Sequence, residues 1–391
     1  MMAQVLSIIF FTLIGYLAVG IPLAVLPLYL HETWHFSSLI TGLILSVHYW
    51  STFFTRSWAG KNSDVNGPKK TLIVGLIGCG LSGVFLWTAS ACGSSLSLAL
   101  PTILISRVLL GIGESFVATG ATMWGIRRIG SQNAARAISW NGVATYSALA
   151  FGPMLGAGLN SRFGFQSVGV AIFVLVTIAF FIALAKKDEP ATVRKRAVPL
   201  REVFIRVLPY GAALVSGSVG FGMISVFISL YFTTEHWTSP TTALALFGFF
   251  FVVTRLIFVG YISRIGGLKV ASICLAVESL GIILLATSTH ESMAFLGAAL
   301  SGAGFSLVFP SLGAEAIARF DRENQGAAMG TYSIFIDLAF GVSALAGGAV
   351  SDFLGYRKAF LLAAFCALLG IALIQFLSLT RDALAQDPVR L

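Results

Sequence analysis

Glu114 and Asp337 are carboxylates set in long, otherwise nearly uncharged stretches, and His48, Arg107 and Asn141 stand in similar surroundings. A carboxylate in apolar surroundings can take up and release a proton near neutral pH. An ionisable group inside a lipid-spanning segment costs several kcal/mol unless it is paired or faces water, which makes each of these a functional candidate. Glu114 and Asp337 are therefore the leading proton-binding pair, the alternative being a structural hydrogen bond within a helix bundle. Arg107 precedes Glu114 by two helical turns on much the same face, where it would tune that carboxylate or serve as its counter-ion. His48 would titrate near neutral pH if it faced a cavity, or sit neutral between helices. Arg56 and Arg255 lie near segment ends and are expected to snorkel. Glu278 is expected to hydrogen-bond a neighbouring helix. His31 and His35 flank Glu32 at the i, i+4 spacing of a metal site, but at a segment end beside Trp34, and no metal is expected.

The elements that must position these groups follow from composition. Hydrophobic residues make up 57% of the 391, charged residues 10%, and the mean hydropathy is +0.89. Soluble domains carry about 25% charged residues, so the chain reads as an all-α membrane protein. Twelve segments of the roughly 20 residues a bilayer requires can be drawn; those bearing the candidates run over about 38–59, 99–125, 137–160 and 328–350. The first segment, about 4–30, lacks a basic leader and is read as a retained span. Four cysteines show no disulfide or zinc spacing. No phosphate loop, dinucleotide fingerprint or nucleophile with an associated base stands out, so no enzymatic activity and no cofactor are expected.

The net charge of +9 calls for no nucleic-acid partner, because most Lys and Arg gather on one side of the spans. The positive-inside rule then places both termini in the cytoplasm. The basic connection around Lys187 to Arg206 divides the chain into bundles at 1–186 and 207–391, with 187–206 as cytoplasmic linker. The halves repeat: Gly60, Asp64, Gly67 and Lys69 are matched by Gly260, Arg264, Gly267 and Lys269, and Leu149 to Gly152 by Leu338 to Gly341. Gly60 and Gly67 permit tight turning, and Pro68 presets the next helix. Within 137–160, Asn141, Thr145, Ala148 and Gly152 share one stripe, with Trp140 and Tyr146 nearby. Asn141, Trp140, Tyr146 and His48 are the candidate cavity-lining residues.

With the loop Gly60-x-x-x-Asp64-x-x-Gly67-x-Lys69-Lys70, with Arg107-x-x-x-Gly111-x-Gly113 and with Gly152-Pro153-x-x-Gly156, the chain resembles the major facilitator superfamily over essentially its whole length. It looks most like bacterial proton-driven efflux permeases of the drug:proton antiporter or sugar-efflux-like kind. The resemblance implies twelve helices in two pseudo-symmetric six-helix bundles that rock about a central site, in a monomer of the bacterial inner membrane. It also implies that Gly60, Asp64, Gly67 and Lys69 form a cytoplasmic latch, and that Gly152, Pro153 and Gly156 are an antiporter-type motif. Val65 stands where the latch usually has arginine, and Ala148 and Ala157 where the antiporter motif has glycine. The function so implied is export of a small molecule in exchange for protons, the alternative being proton-coupled import of a sugar or organic acid.

Overall fold

A computed structural model describes residues 2–92, 95–130, 134–188, 199–320 and 325–386, and no strand occurs among them. The middle of the basic linker, with Arg194, Lys195 and Arg196, lies outside the described residues. The first bundle comprises α1 (Met2–Gly20) with α2 (Leu26–Trp34), α3 (Ser38–Asn66), α4 (Pro68–Ala91), α5 (Leu96–Ile129), α6 (Ala134–Phe163) and α7 (Gln166–Ala185). The second comprises α8 (Leu200–Thr234), α9 (Pro240–Phe258) with α10 (Tyr261–Ile265), α11 (Gly267–Ala286), α12 (Glu291–Phe305) with α13 (Val308–Ile317), α14 (Gln325–Leu354) and α15 (Tyr356–Gln386). Counting α1–α2, α9–α10 and α12–α13 as single broken spans gives the expected twelve. Among the described residues, nine spans are long and apolar enough to cross a membrane by themselves. The other three are α1–α2, α3 and α6: the first is cut short, and the other two carry the polar side chains that matter below.

One boundary differs from expectation. The linker was drawn to residue 206, yet α8 begins at Leu200, behind Pro199, with Glu202 and Arg206 pairing one turn apart. Charged residues here continue a helix instead of ending it.

Prolines explain the broken spans. Pro22 and Pro27 each lack an amide hydrogen and disfavour helix in the residue before them, so the chain turns between Gly20 and Leu26. Gly152 and Gly156 of α6 pack on that break; a Cβ on Gly156 would lie 1.9 Å from the Ile21 carbonyl oxygen. In α13, Pro310 cannot donate to the carbonyl four residues earlier, which is that of Ser306, and the span breaks there.

Each bundle is built by close approach at small residues, as helices in lipid require. In the first, α5 packs on α3 and α4; in the second, α12 packs on α9 and α11. The correspondence extends to single contacts. Gly111 abuts the His48 carbonyl and Gly113 the Cys79 amide, while Gly302 abuts the Phe247 carbonyl and Gly304 the Glu278 amide. Gly67 and Gly266, with φ of 93° and 91°, make the same turn before α4 and α11. His48, Gly67 and Cys79 therefore correspond to Phe247, Gly266 and Glu278. This corrects the repeat drawn from the sequence, which matched Gly67 to Gly267 and so ran one residue out of register. In the corrected register Arg56 corresponds to Arg255. Gly164 and Gly355, both with positive φ, set the register of the fifth and eleventh spans, in which Tyr146 corresponds to Asp337 and Leu149 to Gly152 correspond to Phe340 to Ser343, two residues beyond the match drawn from the sequence.

The bundles meet along α3 with α14 and α6 with α9. At the end of α3 remote from Gly67, Asp352 of α14 accepts from the backbone amides of Ser38 at 2.7 Å and Leu39 at 2.8 Å. A carboxylate there satisfies two otherwise unpaired donors and the positive end of the helix dipole. Ser38 Oγ and the Tyr356 hydroxyl lie 2.6 Å apart beside it. Gly42 and Gly348 admit the opposing backbone, since a Cβ on Gly42 would come within 2.1 Å of the Ala344 oxygen. This end is closed.

At the same end Glu235 and Arg357 form a two-pronged pair joining α8 to α15, at 2.9 and 2.7 Å. The hydrogen bond from Arg357 holds the Glu235 carboxyl below its ordinary range. Because the folded value is the depressed one, the contribution is present at neutral pH and is lost as pH falls through the folded value. Glu235→Gln should lower stability by up to about 1 kcal/mol at neutral pH, the ceiling for a partly exposed pair. In thermal melts of the purified protein, the difference from wild type should vanish in acid.

Candidate functional site

Where α5 crosses α3, Gly111 brings the two backbones together, and Thr52 Oγ1 donates across the crossing to the Gly111 carbonyl at 3.2 Å. One turn further along α5, Glu114 meets the ring of His48, with Nε2 and Oε2 2.6 Å apart. That contact carries a proton, on the imidazole or on the carboxyl. Two turns along α3 from His48, Arg56 reaches across the bundle interface to Asp337 of α14, donating from Nε at 2.8 Å and Nη2 at 2.7 Å. Its Nη2 also lies 3.9 Å from Glu114 Oε1. Tyr16 of α1 adjoins Glu114. The result is a buried cluster with two carboxylates, one imidazole and one guanidinium, drawn from both halves of the chain.

Glu114 and Asp337 are thus brought into one site, and His48 joins them. Arg56 does not snorkel. It sits roughly 15 Å from the end of α3 at a rise of 1.5 Å per residue, too deep to reach the interface, and a buried carboxylate is within range. The stripe His48, Thr52, Arg56 at four-residue spacing was the signal in the sequence that could have marked it.

Arg107 neither pairs with Glu114 nor tunes it by contact. Two turns separate them by about 10 Å along the axis, and His48 already occupies the space beside Glu114. Arg107 instead lines a narrow cleft of about 20 Å³, room for about one water, with His48, Tyr49, Leu45, Val19, Leu26 and Ser225. Tyr146 is buried beneath Arg255, whose guanidinium lies 4.9 Å from that ring and 4.8 Å from Phe251. Arg255 Nη2 donates to the Ser306 carbonyl at 2.6 Å, the acceptor that Pro310 leaves free. Arg255 therefore is buried too, and does not snorkel.

The remaining candidates divide. Asn141 accepts a hydrogen bond from Thr12, tying α6 to α1. Trp140 packs against the small apolar cluster of Ile9, Ile129, Ala137 and Ala144 and is not among the residues lining the cleft. A large aromatic on the α1 side of α6 is consumed by helix packing. Gly60 has open space around it, Asp64 lies 3.8 Å from Arg127 of α5, and Lys69 donates to the carbonyls of Leu184 and Lys186. These contacts tie the segment to its own half, and it is not an open loop: Gly60 and Asp64 lie within α3 and Lys69 within α4, so Gly67 alone turns the chain and Gly60, expected to turn as well, is helical. Gly152, Pro153 and Gly156 belong to α6, the two glycines at the break between α1 and α2. His31 Nδ1 contacts the Phe36 carbonyl at 2.7 Å, and His35 is the left-handed cap of α2, so both close a helix end. The hydrogen bond expected from Glu278 to a neighbouring helix is not made: it faces the glycine surface of α8 at Gly217 and Gly220, and among the described residues neither of its oxygens has a hydrogen-bond partner.

Two six-helix bundles closing on a buried charged cluster beside a central cleft make a multi-pass membrane transporter. Comparison with known proteins specifies which. The family model for the Major Facilitator Superfamily matches residues 8–267 and 220–389. The MFS-type transporter YhhS of Shigella flexneri is 42% identical over 371 residues, covering 95% of this chain and 91% of that protein. An MFS-type transporter of Burkholderia pseudomallei (strain 668) is 40% identical over 370 residues, with the same coverage. Both are described as uncharacterized. The human organic anion transporter MFSD10 shares the fold at a TM-score of 0.73 and 18% identity, over 95% of this chain and 98% of that one. A mutant of the nucleoside transporter NupG does so at 0.71 and 14%, over 95% and 99%. The chain belongs to the major facilitator superfamily.

Proposed function

We propose that this transporter exports a small molecule from the cytoplasm in exchange for protons, and that Asp337, Arg56, Glu114 and His48 carry the coupling. The observation that supports this is the two-pronged bond between Arg56 of the first bundle and Asp337 of the second, with Glu114 in reach of the same guanidinium. A proton arriving on Asp337 removes the charge that holds Arg56. The guanidinium then turns to Glu114, the His48–Glu114 proton is displaced, and the interface across α3 and α14 loosens. Export as the direction draws on the resemblance of Gly152-Pro153-x-x-Gly156 to antiporter motifs. In this reading the Gly60 to Lys70 loop and both termini lie in the cytoplasm, the loop latches the bundles when the far end opens, and the protein works as a monomer in the bacterial inner membrane.

The test is proton movement in proteoliposomes, with flux of candidate solutes followed under each orientation of the pH gradient. Glu114→Gln and Asp337→Asn should each abolish the pH-driven component while leaving exchange down a solute gradient. Unchanged pH-driven transport in both variants would remove the cluster as the coupling site, and accumulation with the proton gradient would make the protein a symporter.

A further inference from the structure

Glu278, in the middle of α11, is fully buried, and among the described residues neither of its oxygens has a hydrogen-bond partner. Both oxygens rest on the glycine surface of α8: a Cβ on Gly220 would lie 2.6 Å from Oε1, and one on Gly217 3.7 Å from Oε2. The helices packed on α11 are α8, α12, α13 and α15, with the short α10 at its start. None of their described ionisable groups, Tyr210 of α8, Glu291 of α12, Glu315 of α13 and Cys366 of α15 included, acts on the Glu278 charge. The ionisable neighbour is Cys274, one turn earlier on α11 and also buried. An ionised carboxylate buried without donor or cation is among the costliest groups a fold can hold. The neutral acid escapes that cost, because it brings a hydroxyl that a helix carbonyl with a spare lone pair accepts. Nor does packing call for an acid: the corresponding place in the first bundle is filled by Cys79.

We infer that Glu278 is a proton-binding site separate from the Arg56 cluster, and that the proton it holds keeps α8 seated on α11. Losing it breaks only the O–H bond: the electron pair stays on the carboxylate, the proton passes to water, and the ion cannot remain bare against Gly217 and Gly220. The seam must then part to admit water. Another side of α8 faces the cleft at Ser225 and Val226, and its Phe221 stacks with Phe247 and Phe305 and meets Phe340 of α14. A shift of α8 off Glu278 therefore reaches the cleft without passing through Arg56 or Asp337. The site adds to the coupling proposed above and does not depend on it.

Infrared spectra of the purified full-length protein test the proton, with glutamate carboxyls labelled with carbon-13 so that aspartates are set apart. At neutral pH wild type should show an acid carbonyl band that moves with the label and is missing from Glu278→Gln. Labelling of Cys274 by N-ethylmaleimide, with Cys79, Cys92 and Cys366 replaced by alanine, tests the seat. The rise in thiolate with pH is shared by both proteins, so the ratio of wild-type to Glu278→Gln rates isolates the carboxyl. Because one proton separates seated from parted, that ratio should grow by up to about tenfold per pH unit toward alkaline pH. Glu278→Met, neutral and of similar length, should match Glu278→Gln in both measurements and takes its place if the amide variant does not fold. Absence of a label-sensitive acid band that the variants lose would overturn the proton site. A labelling ratio that stays flat as pH rises would remove its hold on α8.

Discussion

Arg56→Gln combined with Asp337→Asn should be more stable than Asp337→Asn alone. In the single variant the guanidinium keeps its charge, deep in the interface, without the carboxylate that accepts both of its hydrogen bonds. Removing one member of a buried pair costs about 3–5 kcal/mol, chiefly the cost of the stranded charge. Glu114, 3.9 Å away, should hold the loss toward the lower end of that range. The double variant strands nothing and leaves two amides able to bond each other. Chemical unfolding of the four proteins closes the cycle, and additive losses would show that the two side chains are not coupled. Both variants lacking Asp337 should transport without response to pH, so the rescue is of stability and not of coupling.

The second large effect is expected at the closed end. Gly42→Leu should prevent closure there, because even the first carbon of a side chain would lie 2.1 Å from the Ala344 oxygen, and that neighbour is backbone on both sides. A single cysteine introduced at Ser225, in the cleft, reports on this in a background free of the native cysteines. Its labelling by a membrane-impermeant maleimide added from the closed end should rise by about tenfold or more, and net transport should fall to background. Gly158→Ala, on the exposed side of α6, is the control, since nothing lies within 4 Å of a Cβ at that position, and it should label as wild type. Wild-type labelling in Gly42→Leu would mean that the contact between α3 and α14 does not gate the cleft.

The span count and the two-bundle plan were legible because hydropathy and the placement of lysine and arginine act over twenty residues at a time. The site was legible in part. Glu114 and Asp337 stood out as charges where charges are costly, but their partners were set by helix crossings that no periodicity records. Arg56 was misread because distance from a segment end was judged from polar loop residues, whereas α3 runs on through them to Asn66. Arg107 shares a helical face with Glu114 without touching it, because two turns of rise outweigh a shared face. The repeat slipped by a residue because matching glycines by identity cannot tell Gly266 from Gly267; only the backbone angle marks which one turns.

The corrected register gives the two buried arginines unlike fates. Arg56 grips a carboxylate across the interface, while its counterpart Arg255 rests on the ring of Tyr146, the residue that corresponds to Asp337. A carboxylate lets go when it is protonated, but a ring face attracts a cation whatever the proton supply. On the proposed coupling, the seam at Arg56 is therefore a catch that acid releases, whereas the seam at Arg255 is a fixed hinge pin on which a proton has no carboxylate to act.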